Sequence, residues 1–110
     1  MKQYVIDELR TQDYEKIKRY FNDNLEACGI DGIYWIPIEP DLLTQKQAVH
    51  TQCQPLYFMV DLKPDRLCCE LLVRTRYRVR CSCIDYATDS QRNWLIRYID
   101  CILNKLNITA

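Results

Sequence analysis

A chain of 110 residues, 48% hydrophobic and 27% charged, has the size and composition of one globular domain, and a disordered chain is excluded. Such a domain buries roughly 65% of the surface its unfolded chain exposes. Fifteen basic and fifteen acidic side chains cancel, so no global field draws the protein to nucleic acid or to an anionic membrane. The whole chain, residues 1–110, is therefore expected to form a single α+β domain.

The opening "MKQYVIDELR" turns acidic before any apolar run forms, which argues against a signal peptide. No stretch approaches the roughly 18 apolar residues of a membrane span. Seven cysteines, an odd number in a chain large enough to build a core, favour reduced thiols and a cytoplasmic location over a disulfide framework.

In chain order, "YVIDEL" fits either an extra helical turn or an extended arm. Residues 11–28 read as an amphipathic helix with Thr11 or Asp13 as cap. Tyr14, Ile17, Phe21, Leu25 and Cys28 recur on one side, and Gly29 stands where a left-handed residue ends a helix. "GIYWIPI", residues 32–38, has the β-branched and aromatic content of a strand, and Pro37 points to an edge position. The weak apolar pattern of residues 40–54 predicts a short helix or an irregular excursion.

Three strands are expected next, over 56–62, 66–73 and 77–86. A four-residue "KPDR" loop pairs Leu62 with Leu67, Val60 with Cys69 and Phe58 with Leu71. One face then carries Leu56, Phe58, Val60, Leu62, Leu67, Cys69, Leu71 and Val73 and is wholly apolar. A three- or five-residue loop around Thr75–Tyr77 adds Val79, Cys81 and Cys83 to that face, whereas an even loop would bury Arg78 and Arg80 unpaired. The final element is a helix opened by a capping box, Thr88 with Gln91, and striped by Trp94 or Leu95, Tyr98, Ile99, Ile102 and Leu106. The elements together predict a two-layer sandwich, a four-stranded antiparallel sheet with an N-terminal and a C-terminal helix packed on one face. In topology alone, this order is similar to compact bacterial chaperone-like folds such as the class I secretion chaperones, a resemblance that implies dimers holding partner segments.

Four arginines at alternate positions, Arg74, Arg76, Arg78 and Arg80, lie with Tyr57 and Met59 on the face away from the helices. Three readings stay open for that face. It is a solvated surface with Glu70 pairing an arginine, a self-association surface, or a nucleic-acid rail with interleaved Tyr57 and Tyr77. Cys69, Cys81 and Cys83 are expected to pack as inward thiols, because "CC" and "CSC" depart from the C-x2–4-C spacing of a zinc knuckle; no metal and no cofactor are expected. "HTQC", His50 to Cys53, is the one local meeting of imidazole and thiol, and a polar loop accounts for it better than catalysis does. No phosphate loop, nucleophile elbow, zinc-helix or calcium-loop motif occurs. The functional expectation is a cytoplasmic, non-enzymatic module that binds another protein or its own copy as a homodimer. The alternatives are a nucleic-acid-binding protein using the arginine face, and a thiol-dependent enzyme or metal site at His50 and Cys53.

Overall fold

The computed structural model describes residues 2–76 and 81–109. Among the described residues, seven strands and three α-helices follow one another as β1 (Gln3–Ile6), α1 (Thr11–Asn24), β2 (Glu26–Ala27), β3 (Ile33–Pro37), α2 (Gln45–Val49), β4 (Leu56–Lys63), β5 (Arg66–Glu70), β6 (Leu72–Thr75), β7 (Asp85–Tyr86) and α3 (Asp89–Lys105). Two 3-10 turns, Pro40–Leu42 and Thr51–Cys53, flank α2. The order across the sheet is β1-β5-β4-β3-β2, with β6 pairing both β4 and β7, and every pairing is antiparallel. The α+β class with an antiparallel sheet is as expected, but the four-stranded two-layer description is not.

Two of the added strands arise from segments before Cys28. The ambiguous lead-in is extended, and β1 lies along β5 with Tyr4 opposite Cys69 and Ile6 opposite Leu67. The first helix stops at Asn24, short of Cys28, because Glu26 and Ala27 pair with Trp35 and Tyr34. Gly29 does adopt positive φ, but in the turn between β2 and β3. Arg10, not Thr11 or Asp13, occupies the N-cap; Asp13 is buried in the first turn and pairs with Arg10 at 3.3 Å. Pro37 ends β3 beyond the reach of β2, so its missing donor leaves no ladder bond unmade.

The hairpin of β4 and β5 has the expected register, Leu62 with Leu67 and Val60 with Cys69. Further along, Tyr57 pairs with Arg74 and Leu56 with Thr75, so three steps on β4 are matched by five on the opposite strand. This bulge displaces the expected Phe58–Leu71 pair. It adds an even number of residues, so the faces are preserved, and Val73 is buried beside Cys69, Leu67, Phe58 and Val60. Leu71, at the bulge, is half-buried; its N–H donates to Lys2 O and its carbonyl accepts from Ala87 N.

Of the strand expected over 77–86, the described residues Asp85 and Tyr86 pair with Val73 and Leu72. The register of Val73 opposite Asp85 departs from the tight loop expected around Thr75–Tyr77, and residues 81–84 form a turn closed by Ile84 N–H donating to Cys81 O at 3.0 Å. Tyr77, Arg78, Val79 and Arg80 lie outside the described residues.

Helix packing follows the apolar stripes. Ile17 and Phe21 of α1 are fully buried, and Phe21 meets Tyr34 edge-on at 5.2 Å. Leu95, Ile99 and Ile102 line the buried side of α3, and Trp94 stacks on Phe58. The capping box of α3 is present as expected, with Gln91 N–H donating to Thr88 Oγ1 and Thr88 N–H to Gln91 Oε1. Asn107, in the left-handed region, closes the same helix while Ile108 N–H donates to Leu103 O and its side chain is buried. No helix among the described residues is long and apolar enough to cross a membrane.

Candidate functional site

The excursion from residue 40 to 54 and the turn at 81–84 meet at one end of the sheet. "HTQC" is a helical turn: Cys53 N–H donates to His50 O at 3.0 Å and Gln54 N–H to Thr51 O. Residues three apart on a 3-10 turn eclipse one another, so His50 and Cys53 project from the same side. "CSC" is a tight turn rather than a strand, which draws the sulfurs of Cys81 and Cys83 together instead of leaving them about 6.6 Å apart along an extended backbone.

The two turns face each other. His50 Nδ1 lies 3.2 Å from Cys81 Sγ, and the Cys53 thiol reaches Cys81 Sγ at 3.6 Å. One ligand atom from each of His50, Cys53, Cys81 and Cys83 lies within 4.8 Å of every other. Cys53 and Cys83 are buried, whereas His50 and Cys81 are half-buried and open onto a cleft of about 360 Å³ walled by Val49, Thr51 and Gln52.

Electrostatics separates the two cysteines of the turn. The Cys81 thiol is pulled down to about 6 by a hydrogen bond from the Cys83 backbone first, then by the Cys83 thiol, His50 and Cys53. Burial, followed by the neighbouring thiols, pushes Cys83 up to about 12. Cys81 is therefore the sulfur that carries negative charge first.

A pair of buried glutamines fixes the backbone of both turns. Gln47, in the first turn of α2, forms a second capping box with Thr44. Its Nε2 donates to Cys83 O at 3.1 Å, and its Oε1 accepts from Gln91 Nε2 at 2.9 Å. Gln91 Nε2 also donates to Leu42 O at 3.0 Å. Both glutamines therefore cap their own helices and join α2, α3 and the cysteine turn. Thr75 Oγ1 donates to Cys53 O at 2.7 Å, anchoring the other turn to the end of β6. No buried side-chain nitrogen or oxygen among the described residues lacks a partner, so the network is satisfied throughout.

Sequence reasoning singled out His50 and Cys53 but placed Cys81 and Cys83 beside Cys69. The fold places all four together. The missed signal is the combination of H-x2-C with C-x-C, two short half-sites each too weak alone to indicate a metal. The capping box at Thr44 and Gln47 was also readable from its spacing.

The arginine face is organised differently from a rail. Arg74 makes a two-pronged contact with Glu70, at 2.7 and 3.2 Å. Arg76 pairs with Glu26, and its guanidinium lies over the rings of both Trp35 and Tyr57, 5.6 Å from each centroid. Tyr57 is buried and Met59 half-buried on that face. Arg78 and Arg80 lie outside the described residues; among the described residues, Arg74 and Arg76 share this face with Tyr57 and Met59.

Comparison of the chain with protein-family models, with curated proteins and with solved structures returns no match.

Proposed function

We propose that this is a metal-clipped interaction module, in which a zinc ion held by His50, Cys53, Cys81 and Cys83 ties the 40–54 excursion to the cysteine turn. The observation that carries this reading is the spacing of the four donors. Zinc–sulfur bonds of about 2.3 Å arranged as a tetrahedron place sulfurs about 3.8 Å apart. The 3.6 Å between Cys53 and Cys81 lies close to such an edge, the 3.2 Å between His50 and Cys81 falls somewhat inside it, and no two of the four donor atoms are more than 4.8 Å apart. Three thiols and an imidazole suit a soft or borderline ion, and calcium or magnesium would require oxygen ligands.

Four protein ligands fill a tetrahedron and leave no position for water or substrate, which favours a structural role over a catalytic one. The lowered Cys81 thiol is already suited to bind as thiolate, and glutamine and threonine bonds to the ligand-bearing backbone limit the reorganisation that binding requires. The test is native mass spectrometry of the protein purified without chelators. One zinc mass per chain is expected, with stoichiometry lost in Cys83→Ser. A metal-free chain that also declines added zinc would overturn the reading.

The module reading extends to the second sheet face, proposed here as a homodimer surface. Val5 is 43% exposed there, in one row across the sheet with Cys68, Asp61 and Ile33, next to Met59 and Trp35. The pairing of Arg74 and Arg76 with acids supports a protein contact over a nucleic-acid rail, because charges already neutralised release few counterions. Sedimentation of the wild-type chain as a dimer and of Met59→Glu as a monomer would support this surface; a wild-type monomer at high micromolar concentration would remove it.

A further inference from the structure

We infer that the same cluster is a thiol-oxidation site, at which a hydroperoxide converts Cys53 and Cys81 into a disulfide and expels the ion. The inference rests on the zinc reading and adds a reaction to it. Cys81 is half-buried and opens onto the cleft, so it is the sulfur an incoming peroxide meets first. Cys53 Sγ stands 3.6 Å away and lines the same cleft, whereas Cys83 is buried and does not line it. Among the remaining thiols, Cys68 and Cys69 are sequence neighbours whose strand positions direct them to opposite faces, and Cys101 is exposed on α3.

The chemistry balances in two steps. The Cys81 thiolate attacks the outer peroxide oxygen, the O–O bond breaks, and the departing alkoxide takes a proton to leave as alcohol, with Cys81 now a sulfenic acid. The Cys53 sulfur then attacks Cys81, the S–S bond forms, and hydroxide departs and is protonated to water. Two thiolates have lost two electrons to the peroxide and two protons have been consumed. His50 and Cys83 remain as ligands, and half a tetrahedral shell does not retain zinc against solvent.

The structural consequence is an exchange of one clip for another. A disulfide requires the two sulfurs to close to about 2.05 Å, and it joins the same turns that the ion joined. The 40–54 excursion therefore stays fastened to the 81–84 turn while the ion is lost, and His50, freed from the metal, is left facing the cleft.

The test uses the full chain, its zinc content first established by native mass spectrometry. Hydrogen peroxide is then titrated in, zinc release is read with a chromogenic chelator, and disulfides are mapped by mass spectrometry of proteolytic peptides. Complete zinc release, in step with loss of two hydrogen masses on a peptide pair containing Cys53 and Cys81, is expected. Cys101→Ser should release zinc identically, and in Cys53→Ser the oxidised Cys81 should be trapped by dimedone. Retention of zinc through the titration, or a Cys81–Cys83 link in place of Cys53–Cys81, would overturn this inference and leave the metal reading standing. A chain that takes up no zinc at the outset would overturn both.

Discussion

Replacing Gln47 by alanine tests whether the buried glutamine pair organises the site. The side chain is 2% exposed and serves three partners: Thr44 N–H, Gln91 Nε2 and Cys83 O. Loss of the capping interaction should cost about 1 kcal/mol. The Cys83 carbonyl, in a buried residue, loses its donor, and an orphaned group of this kind costs about 1–3 kcal/mol. Gln91 retains its bond to Leu42 O, so nothing is added for it. The expected sum is about 2–4 kcal/mol, and with a urea slope of about 2 kcal/mol per molar it lowers the unfolding midpoint by about 1–2 M. Thr44→Ala is the control, since it removes only the cap and should cost about 1 kcal/mol. Both are read by urea titration of tryptophan fluorescence in reductant, Trp94 being packed on the core residue Phe58. A Gln47→Ala loss no larger than that of Thr44→Ala would refute the idea that this residue carries more than its own helix start.

Gly32→Ala should destabilise more than Gly29→Ala. Both glycines have positive φ, but an added Cβ at Gly32 meets Leu62 O at 2.7 Å and at Gly29 meets nothing within 4 Å. Strain alone predicts about 1–2 kcal/mol at Gly29, and equal thermal shifts for the two variants would remove the clash argument. Tyr4, hydrogen-bonded to Asp100 at 2.7 Å, is pushed up to about 12 by burial first and then by that carboxylate. A raised folded pKa favours the protonated phenol, so its contribution is complete below pH 10 and is lost as the pH rises towards 12. Tyr4→Phe should flatten the stability profile across that window, and an unchanged slope would contradict the assignment. Burial also pushes the Cys69 thiol up, so alkylation of the native protein should reach the exposed Cys101 well before Cys69. Labelling of Cys69 at the rate of Cys101 would place it outside the core.

Much of the frame could be read from local signals. The capping box at Thr88, the stripe of α3 and the alternation of β4 and β5 each combine a strong period with an explicit boundary, and each survives in the fold. What sequence reasoning lost were features decided by distant partners. Residues 3–6 become a strand because the outer edge of β5 needs a neighbour, and Glu26–Ala27 leave the helix because Tyr34 and Trp35 offer ladder bonds. The bulge near Leu71 carries no glycine to announce it, although its even length preserved the predicted faces.

The site was half legible for the same reason. His50 and Cys53 stand within one turn, and their spacing could be weighed directly. Their juxtaposition with Cys81 and Cys83 depends on how residues 40–54 fold back over the end of the sheet, held by Gln47 and Thr75. That return is written in buried amide and hydroxyl hydrogen bonds rather than in hydrophobic periodicity. The assumption that "CSC" continued a strand then removed two of the four donors from consideration, when a turn was equally open to a Cys-Ser-Cys sequence.

X-ray absorption at the zinc edge of the protein loaded with one equivalent reads the four-donor metal centre itself. A first shell of three sulfurs at about 2.3 Å and one imidazole nitrogen at about 2.0–2.1 Å is expected, with outer-ring scattering from a single histidine. A shell made only of oxygen and nitrogen, or one that keeps its sulfurs when Cys53, Cys81 and Cys83 are all replaced by serine, would contradict it.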